Sequence, residues 1–317
     1  MSDSPTSSGF SENILGDVAE SAPVRLPDLA TLFARRAERL RALAAGHELE
    51  DFLLMIAALA GAQHAALEKL SPGTLPGAAH IVMATRAGHP PLDPVVWRCD
   101  QSWREALERI LAELDPALLP PQAAAACDSL VAARPLYLEA LADRFLSGNV
   151  APAEAAQAVF VAAALQVAWT RMAALFDLAD LAKHEGETGE CPICGSPAVA
   201  GTVSPGGTKF GHRHLHCSLC GTAWRYVRVR CVHCGGTAKI SYRNLVGTSY
   251  LRAECCESCH GYSKVFYLEA AKSVEPLADD LASLGLDVLV GEAGFARAPN
   301  PFVLGAMEQP EAKAGGV

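Results

Sequence analysis

The residues with most chemistry to offer in this 317-residue chain are its 11 cysteines, nine of which fall between Cys191 and Cys259. Eight of these form four C-x-x-C pairs: Cys191-Pro-Ile-Cys194, Cys217-Ser-Leu-Cys220, Cys231-Val-His-Cys234 and Cys256-Glu-Ser-Cys259. Cys191 to Cys231 and Cys194 to Cys234 are each 40 residues, and Cys217 to Cys256 and Cys220 to Cys259 are each 39. The set is therefore a tandem repeat. The internal spacings, C-x2-C-x22-C-x2-C and C-x2-C-x21-C-x2-C, are of the zinc-ribbon type. A two-residue spacer lets both thiolates of a tight turn reach one ion, and two turns facing each other complete a tetrahedron. Two metal sites are expected, one from Cys191, Cys194, Cys217 and Cys220, the other from Cys231, Cys234, Cys256 and Cys259. Zinc and iron both accept four soft thiolates, so spacing alone leaves open a structural zinc pair and a one-electron, rubredoxin-like iron centre. Disulfide exchange fits less well, because four pairs at a repeating interval suit ligation better than a solitary reactive dithiol.

Cys255 stands off the repeat, so the spacing selects Cys256 and leaves Cys255 as a non-ligand. His212, His214, His216, His233 and His260 crowd the same region, but each repeat already has four thiolates, and these rings fit supporting or solvent-facing positions better. Cys99 and Cys127 read as small buried hydrophobes. The chain offers no nucleophile with a base and no carboxylate pair with assignable roles, so it is not expected to be an enzyme. Gly201-Thr-Val-Ser-Pro-Gly-Gly207 reads as a loop inside the first module, not a nucleotide site.

Such cysteines must be presented by turns at hairpin tips. Glycine directly follows three of the pairs, at Gly195, Gly221 and Gly235, and supplies positive φ; in the fourth, His260 intervenes before Gly261. Stretches 223–229 and 264–268 alternate like short strands. Each module is too small to fold on apolar burial alone, and structural metal sites supply about 10–16 kcal/mol, so metal and fold should be lost together.

Upstream, 50% hydrophobic but only 6% aromatic residues, with abundant alanine, favour helix packing. Leu29, Leu32, Phe33, Leu40 and Leu43 recur at helical spacing, and Phe52, Leu53, Ile56, Leu59 and Ala60 mark a second helix ending at the 71–77 Pro/Gly break. Helical patterns resume over 102–114, 123–133, 136–146 and 153–181, separated by Pro and Gly breakers. The uncharged stretch 155–170 is 16 residues long, short of the roughly 20 of a membrane span, and reads as a buried helix. No membrane anchor is expected. The start of the chain is Ser-rich, with acids but no Lys or Arg before Arg25, unlike a secretory signal; this points to the cytoplasm, where clustered cysteines more often hold metal than disulfides.

Composition shifts near residue 188. The expected organisation is a loose tail over 1–25, an all-α domain over 26–187, four-cysteine ribbons over 188–228 and 229–268, and a C-terminal helix (278–289), a Pro299-Asn-Pro-Phe302 turn and a tail within 269–317. The fold class is thus a mainly α N-terminal helical bundle followed by two tandem small rubredoxin-like or zinc-ribbon modules.

The chain carries a formal −9, but residues 191–268 hold nine Lys or Arg against Glu254 and Glu257, which is +7 and leaves −16 elsewhere. Basic ribbons interleaved with Trp224, Tyr226, Tyr242 and Tyr250 raise nucleic acid as a partner. Eight thiolates on two divalent ions bring −4, reducing the modules to about +3, and the acidic remainder repels a polyanion. A basic patch meeting an acidic protein surface fits at least as well.

Leu215-His-Cys-Ser-Leu-Cys-Gly-Thr-Ala-Trp224, Arg228 with Cys231-x-x-Cys234, and Glu254-x-Cys256-x-x-Cys259-x-x-Tyr262-x-Lys264 together resemble the FdhE family, the formate dehydrogenase accessory proteins of bacteria. The resemblance continues in Leu32-Phe-Ala-Arg-Arg-Ala-Glu-Arg-Leu40, Asp51-Phe-Leu53, Ala62-Gln63, Asp279-Asp-Leu-Ala-Ser-Leu284, Asp287 and Asn300-Pro-Phe302, spanning roughly 26–304. Cys255 is an added thiol. The resemblance implies a cytoplasmic assembly factor that binds the catalytic subunit of formate dehydrogenase before its export or assembly and does not itself oxidise formate. It also implies rubredoxin-like centres that bind iron through the same eight cysteines, and it allows a homodimer. The competing readings are a two-centre electron-transfer protein and, third, a nucleic-acid-binding double zinc ribbon.

Overall fold

The computed structural model describes residues 22–71, 73–94, 102–177, 188–205, 211–298 and 300–303. Cys99, residues 1–21 of the expected tail, the 178–181 end of the last bundle helix, Gly206, Gly207, Pro299 and the tail from residue 304 lie outside the described residues.

The N-terminal part is helical: α1 (Leu32–Ala44), α2 (Glu50–Lys69), α3 (Ala78–Arg86), α4 (Ser102–Glu113), α5 (Pro121–Val131), α6 (Pro135–Leu146) and α7 (Ala155–Ala173). Pro121 and Pro135, which the sequence reading takes as breakers, are the first residues of α5 and α6, where a missing N–H has no helical partner to lose. α3 was not foreseen, and it buries no residue. α7 is the axis of the bundle. It packs on α2, α4, α5 and α6, and every residue from Phe160 to Ala173 is buried, as befits a helix with no wide polar face. No described helix is long and apolar enough to cross a membrane.

The cysteine-bearing part is a single seven-stranded sheet. The first module contributes β2 (Ala198–Val203), β3 (Arg213–Cys217) and β4 (Ala223–Tyr226), the second β5 (Ile240–Arg243), β6 (Leu251–Cys256) and β7 (Tyr262–Tyr267). Each is an antiparallel meander, and a parallel pairing of β2 with β7 joins them, Gly201 opposite Val265 and Val203 opposite Tyr267. The order is β1-β4-β3-β2-β7-β6-β5, where β1 (Val24–Arg25) comes from the segment that the sequence grouped with the tail and covers the β4 edge. β4 stops at Tyr226, short of the expected 229, because its partner strand begins at Arg213 opposite Tyr226 and pairing runs out. Val227 and Val229 are left about half exposed.

After β7 the chain returns to the bundle through α8 (Pro276–Leu281) and α9 (Leu284–Glu292). The sequence suggests one helix here. It breaks because Ser283 Oγ bonds the carbonyls of Asp279 and Asp280, and Lys264 Nζ takes those of Asp280 and Ser283. α8 rests on α1 and β2. There Arg36 reaches Glu275 at 3.2 Å, and Arg39 forms a two-pronged bond with Asp279 at 2.6 and 2.9 Å.

Candidate metal centres

All four C-x-x-C turns share one backbone. The N–H of the first cysteine donates to the carbonyl five residues on: Cys191 to Ser196, Cys217 to Thr222, Cys231 to Gly236 and Cys256 to Gly261, at 2.8–3.0 Å. The residue after the second cysteine is left-handed in each, with φ of 72°, 72° and 70° at Gly195, Gly221 and Gly235 and 57° at His260. His260 thus occupies the glycine position with the same geometry, so the fourth turn differs in residue but not in shape. Histidine is among the side chains that reach this region more readily than most, at a cost of about 1–2 kcal/mol.

These turns bring the eight sulfurs into the two quartets that the repeat spacing grouped. Within each, all four sulfurs lie within 4.8 Å of one another. Contacts cross between turns: Cys191–Cys220 at 3.5 Å, Cys194–Cys217 at 3.4 Å, Cys231–Cys259 at 3.6 Å and Cys234–Cys256 at 3.8 Å. A tetrahedron with metal–sulfur bonds of about 2.3 Å has edges of about 3.8 Å, whereas a disulfide needs about 2.05 Å. The spacing and the all-thiol donor set fit a tetrahedral ion. Backbone N–H groups of Leu219 and Cys220 point at Cys217 Sγ, both at 3.3 Å, and that of Gly261 at Cys259 Sγ, at 3.4 Å, which favours thiolates.

Electrostatics point the same way. Burial pushes the Cys191 and Cys217 thiols well above the ordinary range. Burial also raises Cys194, but hydrogen bonds from Cys191, Cys217, Cys220 and Ser196 outweigh it and hold this sulfur well below. Four thiolates held this close together require a positive ion at their centre.

The quartets differ in burial. All four cysteines of the first are buried; in the second, Cys231 and Cys256 are buried, and Cys234 and Cys259 are exposed. The first is also keyed to the bundle. Gln166 of α7 donates to Ser218 O, inside the Cys217–Cys220 turn, at 2.7 Å, and accepts from Arg36 and Gln63. Trp169 Nε1 donates to Leu92 O at 3.0 Å, and Leu92 N donates to Ile193 O, inside the Cys191–Cys194 turn, at 2.8 Å.

Among the described residues, neither quartet includes a histidine. His214 Nε2 meets Ala22 O, His216 Nε2 meets Thr202 Oγ1, and His233 Nε2 meets Tyr262 O. Burial, followed by the charge on Arg25, holds His214 down to about 4. Cys255 lies outside both quartets, fully buried, its thiol pushed up to about 11 first by burial. Cys127 is buried as well.

Two polar features were not foreseen as structural devices. Arg213 of β3 passes over Gly201, whose absent side chain would sit 3.2 Å from its Nε, and pairs with Glu254 of β6, so one ion pair clamps both modules. Behind β7, the fully buried Lys264 Nζ lies 2.6 Å from Asp287 and 3.2 Å from Asp280, Arg297 pairs with both acids, and Tyr262 and Asn300 donate to them. The motif residues Tyr262, Lys264, Asp280, Asp287 and Asn300 meet in this network. Their wide separation in the chain concealed it.

Family models match nearly the whole chain: "FdhE, N-terminal" over residues 21–186, "FdhE, central domain" over 190–228 and "FdhE, C-terminal domain" over 229–304. The chain is 39% identical over 290 residues to a protein FdhE homolog of Edwardsiella ictaluri, covering 91% of this chain and 93% of that one. It is 37% identical over 297 residues to protein FdhE of Shigella boydii, covering 93% and 94%. The crystal structure of the FdhE protein from Pseudomonas aeruginosa superposes with a TM-score of 0.79 at 37% identity, over 89% of this chain and 98% of that one.

Proposed function

Because the chain belongs to the FdhE family, we propose that it is a non-catalytic accessory factor for formate dehydrogenase, binding the catalytic subunit in the cytoplasm through its metal-containing sheet. The observation that carries this reading is the pair of sulfur quartets, set side by side in one sheet on a chain alignable with family members almost end to end. In this reading Cys191, Cys194, Cys217 and Cys220 hold one ion, Cys231, Cys234, Cys256 and Cys259 a second, and the ions are iron or zinc. Their contribution is to neutralise the thiolates and fix the turns. The chain's own residues do the rest: Gln166 and Leu92 hold the first pair of turns to α7, and Arg213–Glu254 holds the modules together as one surface.

The charge distribution supports a protein partner over nucleic acid. Arg213 and Lys264, two of the nine cations counted in the modules, are fully buried against Glu254, Asp280 and Asp287 and offer nothing to a phosphate. The test is capture of a molybdenum- or tungsten-dependent formate dehydrogenase catalytic subunit by the full chain. A Cys231→Ser/Cys234→Ser double variant should lose capture and client activity together, and full retention of both would refute the reading.

Electron transfer is the second reading, favoured by the exposure of Cys234 and Cys259, which shortens the path from an ion to solvent or a partner. It requires a reversible one-electron couple in anaerobically prepared, iron-loaded protein; a zinc form that fully supports the client would remove it.

A further inference from the structure

The two quartets arise from one repeat, yet the turns of the two modules differ in character at the residue before the second cysteine. In the first module it is Ile193 and Leu219, which are 0% and 5% exposed. In the second it is His233 and Ser258, both exposed. Apolar residues there pull the turn inward. Pro90 lies against Gly195, and Leu32 and Pro27 lie against Gly221, closing the first quartet from outside. His233 and Ser258 leave the corresponding turns facing water, and the Cys234 and Cys259 sulfurs with them.

We propose that the second quartet is an exchange-competent centre that reacts with small thiols, whereas the first is sealed and opens only with the fold. This rests on the reading that each quartet holds an ion. Ligand substitution at a four-thiolate ion needs room for an incoming donor, and only the second quartet offers it. In the exchange step the sulfur of an external thiolate bonds to the ion, the bond to Cys234 or Cys259 breaks, and the released thiolate takes a proton from solvent. No electron moves and the ion keeps its charge. At the first quartet the same step would require parting Gln166 from Ser218 and Leu92 from Ile193, both anchored on a helix buried throughout its last 14 residues.

The experiment uses the full-length chain loaded with zinc, with the bound metal counted first. Release is then followed with a chromophoric zinc indicator, 4-(2-pyridylazo)resorcinol, at rising dithiothreitol concentration. Two ions should leave in two equal phases. The fast one should accelerate with thiol and run at least about tenfold ahead of the other, whose rate is set by opening of the fold. Cys234→Ser or Cys259→Ser should abolish the fast phase and leave the slow one unchanged. In parallel, iodoacetamide labelling of the wild-type protein, mapped by mass spectrometry, should reach Cys234 and Cys259 well before Cys191, Cys194, Cys217 and Cys220, a readout that does not depend on any variant folding. Two ions leaving in one phase, or the first quartet labelling as fast as the second, would overturn the proposal while leaving the metal reading intact. Fewer than two bound ions would overturn both.

Discussion

At Lys264 a primary amine is enclosed by protein, with Asp287 and Asp280 as counter-ions and the Asp280 and Ser283 carbonyls as acceptors. Burial lowers the affinity of this amine for its proton, while the two carboxylates raise it; burial raises Asp287, but Lys264 and Arg297 outweigh that and hold it below the usual carboxylate range. Two cations and two anions balance, so removing one leaves a buried charge unmatched. Lys264→Met should therefore cost about 3–5 kcal/mol in urea unfolding, and a change below about 1 kcal/mol would show that water reaches the network. His214 gives a pH signature. It stays neutral in the folded protein down to about 4, while an unfolded histidine takes a proton near 6.5. Between those values the unfolded state binds more protons, so this contribution is fully present above about pH 6.5 and declines as pH falls, by up to about 1.4 kcal/mol per pH unit. The stability–pH slope of His214→Gln over that interval should be shallower than wild type by this contribution, and equal slopes would contradict it.

The C-x-x-C turn is the unit at the scale of elements, and its left-handed residue is where sequence and backbone are most tightly coupled. A β-carbon on Gly221 would lie 2.8 Å from Leu32 Cδ2 in addition to the φ penalty. Gly221→Ala should destabilise by more than about 1 kcal/mol. His260→Gly removes a strained φ and should be neutral or stabilising by up to about 1 kcal/mol, less whatever the ring contributes against Phe295. Thermal unfolding of the two metal-loaded variants checks both signs. If both destabilise equally, the turns do not share a conformation in solution. The α8–α9 break shows a limit of reading elements from periodicity: apolar spacing runs across residues 278–289, but Ser283 and Lys264 capture the carbonyls a continuous helix would need. That competition originates in a strand outside the segment.

Across the whole molecule, Gln166 is the joint between halves. Its carbonyl oxygen accepts from Arg36 and Gln63, and its amide donates to the first cysteine module. Gln166→Leu keeps the volume but leaves Ser218 O, Arg36 and Gln63 each short of a partner, and should cost about 2–3 kcal/mol in urea unfolding. Removal of both ions should act on the whole sheet, since each quartet fixes the turns of its own module and β2–β7 pairing joins the two. Stripping by acid and chelator should abolish the β contribution to circular dichroism while most helical signal persists; a sheet that survives demetallation would show that apolar burial alone sustains it.

Spacing was enough to sort the eight sulfurs into quartets, because a two-residue spacer and a tandem interval are local properties of the chain. Helical periodicity likewise marked most of the bundle, since each helix writes its buried face in nearby residues; α3, which buries nothing, left no such mark. The merging of two modules into one sheet was a tertiary matter, as were the capture of Val24–Arg25 as an edge strand and the pairing of Arg36 with Glu275 across 239 positions. Periodicity specifies that a face must be covered or a charge matched. Which distant segment does so depends on what the folded chain brings within a few ångströms, and that is not written at any one place in the sequence.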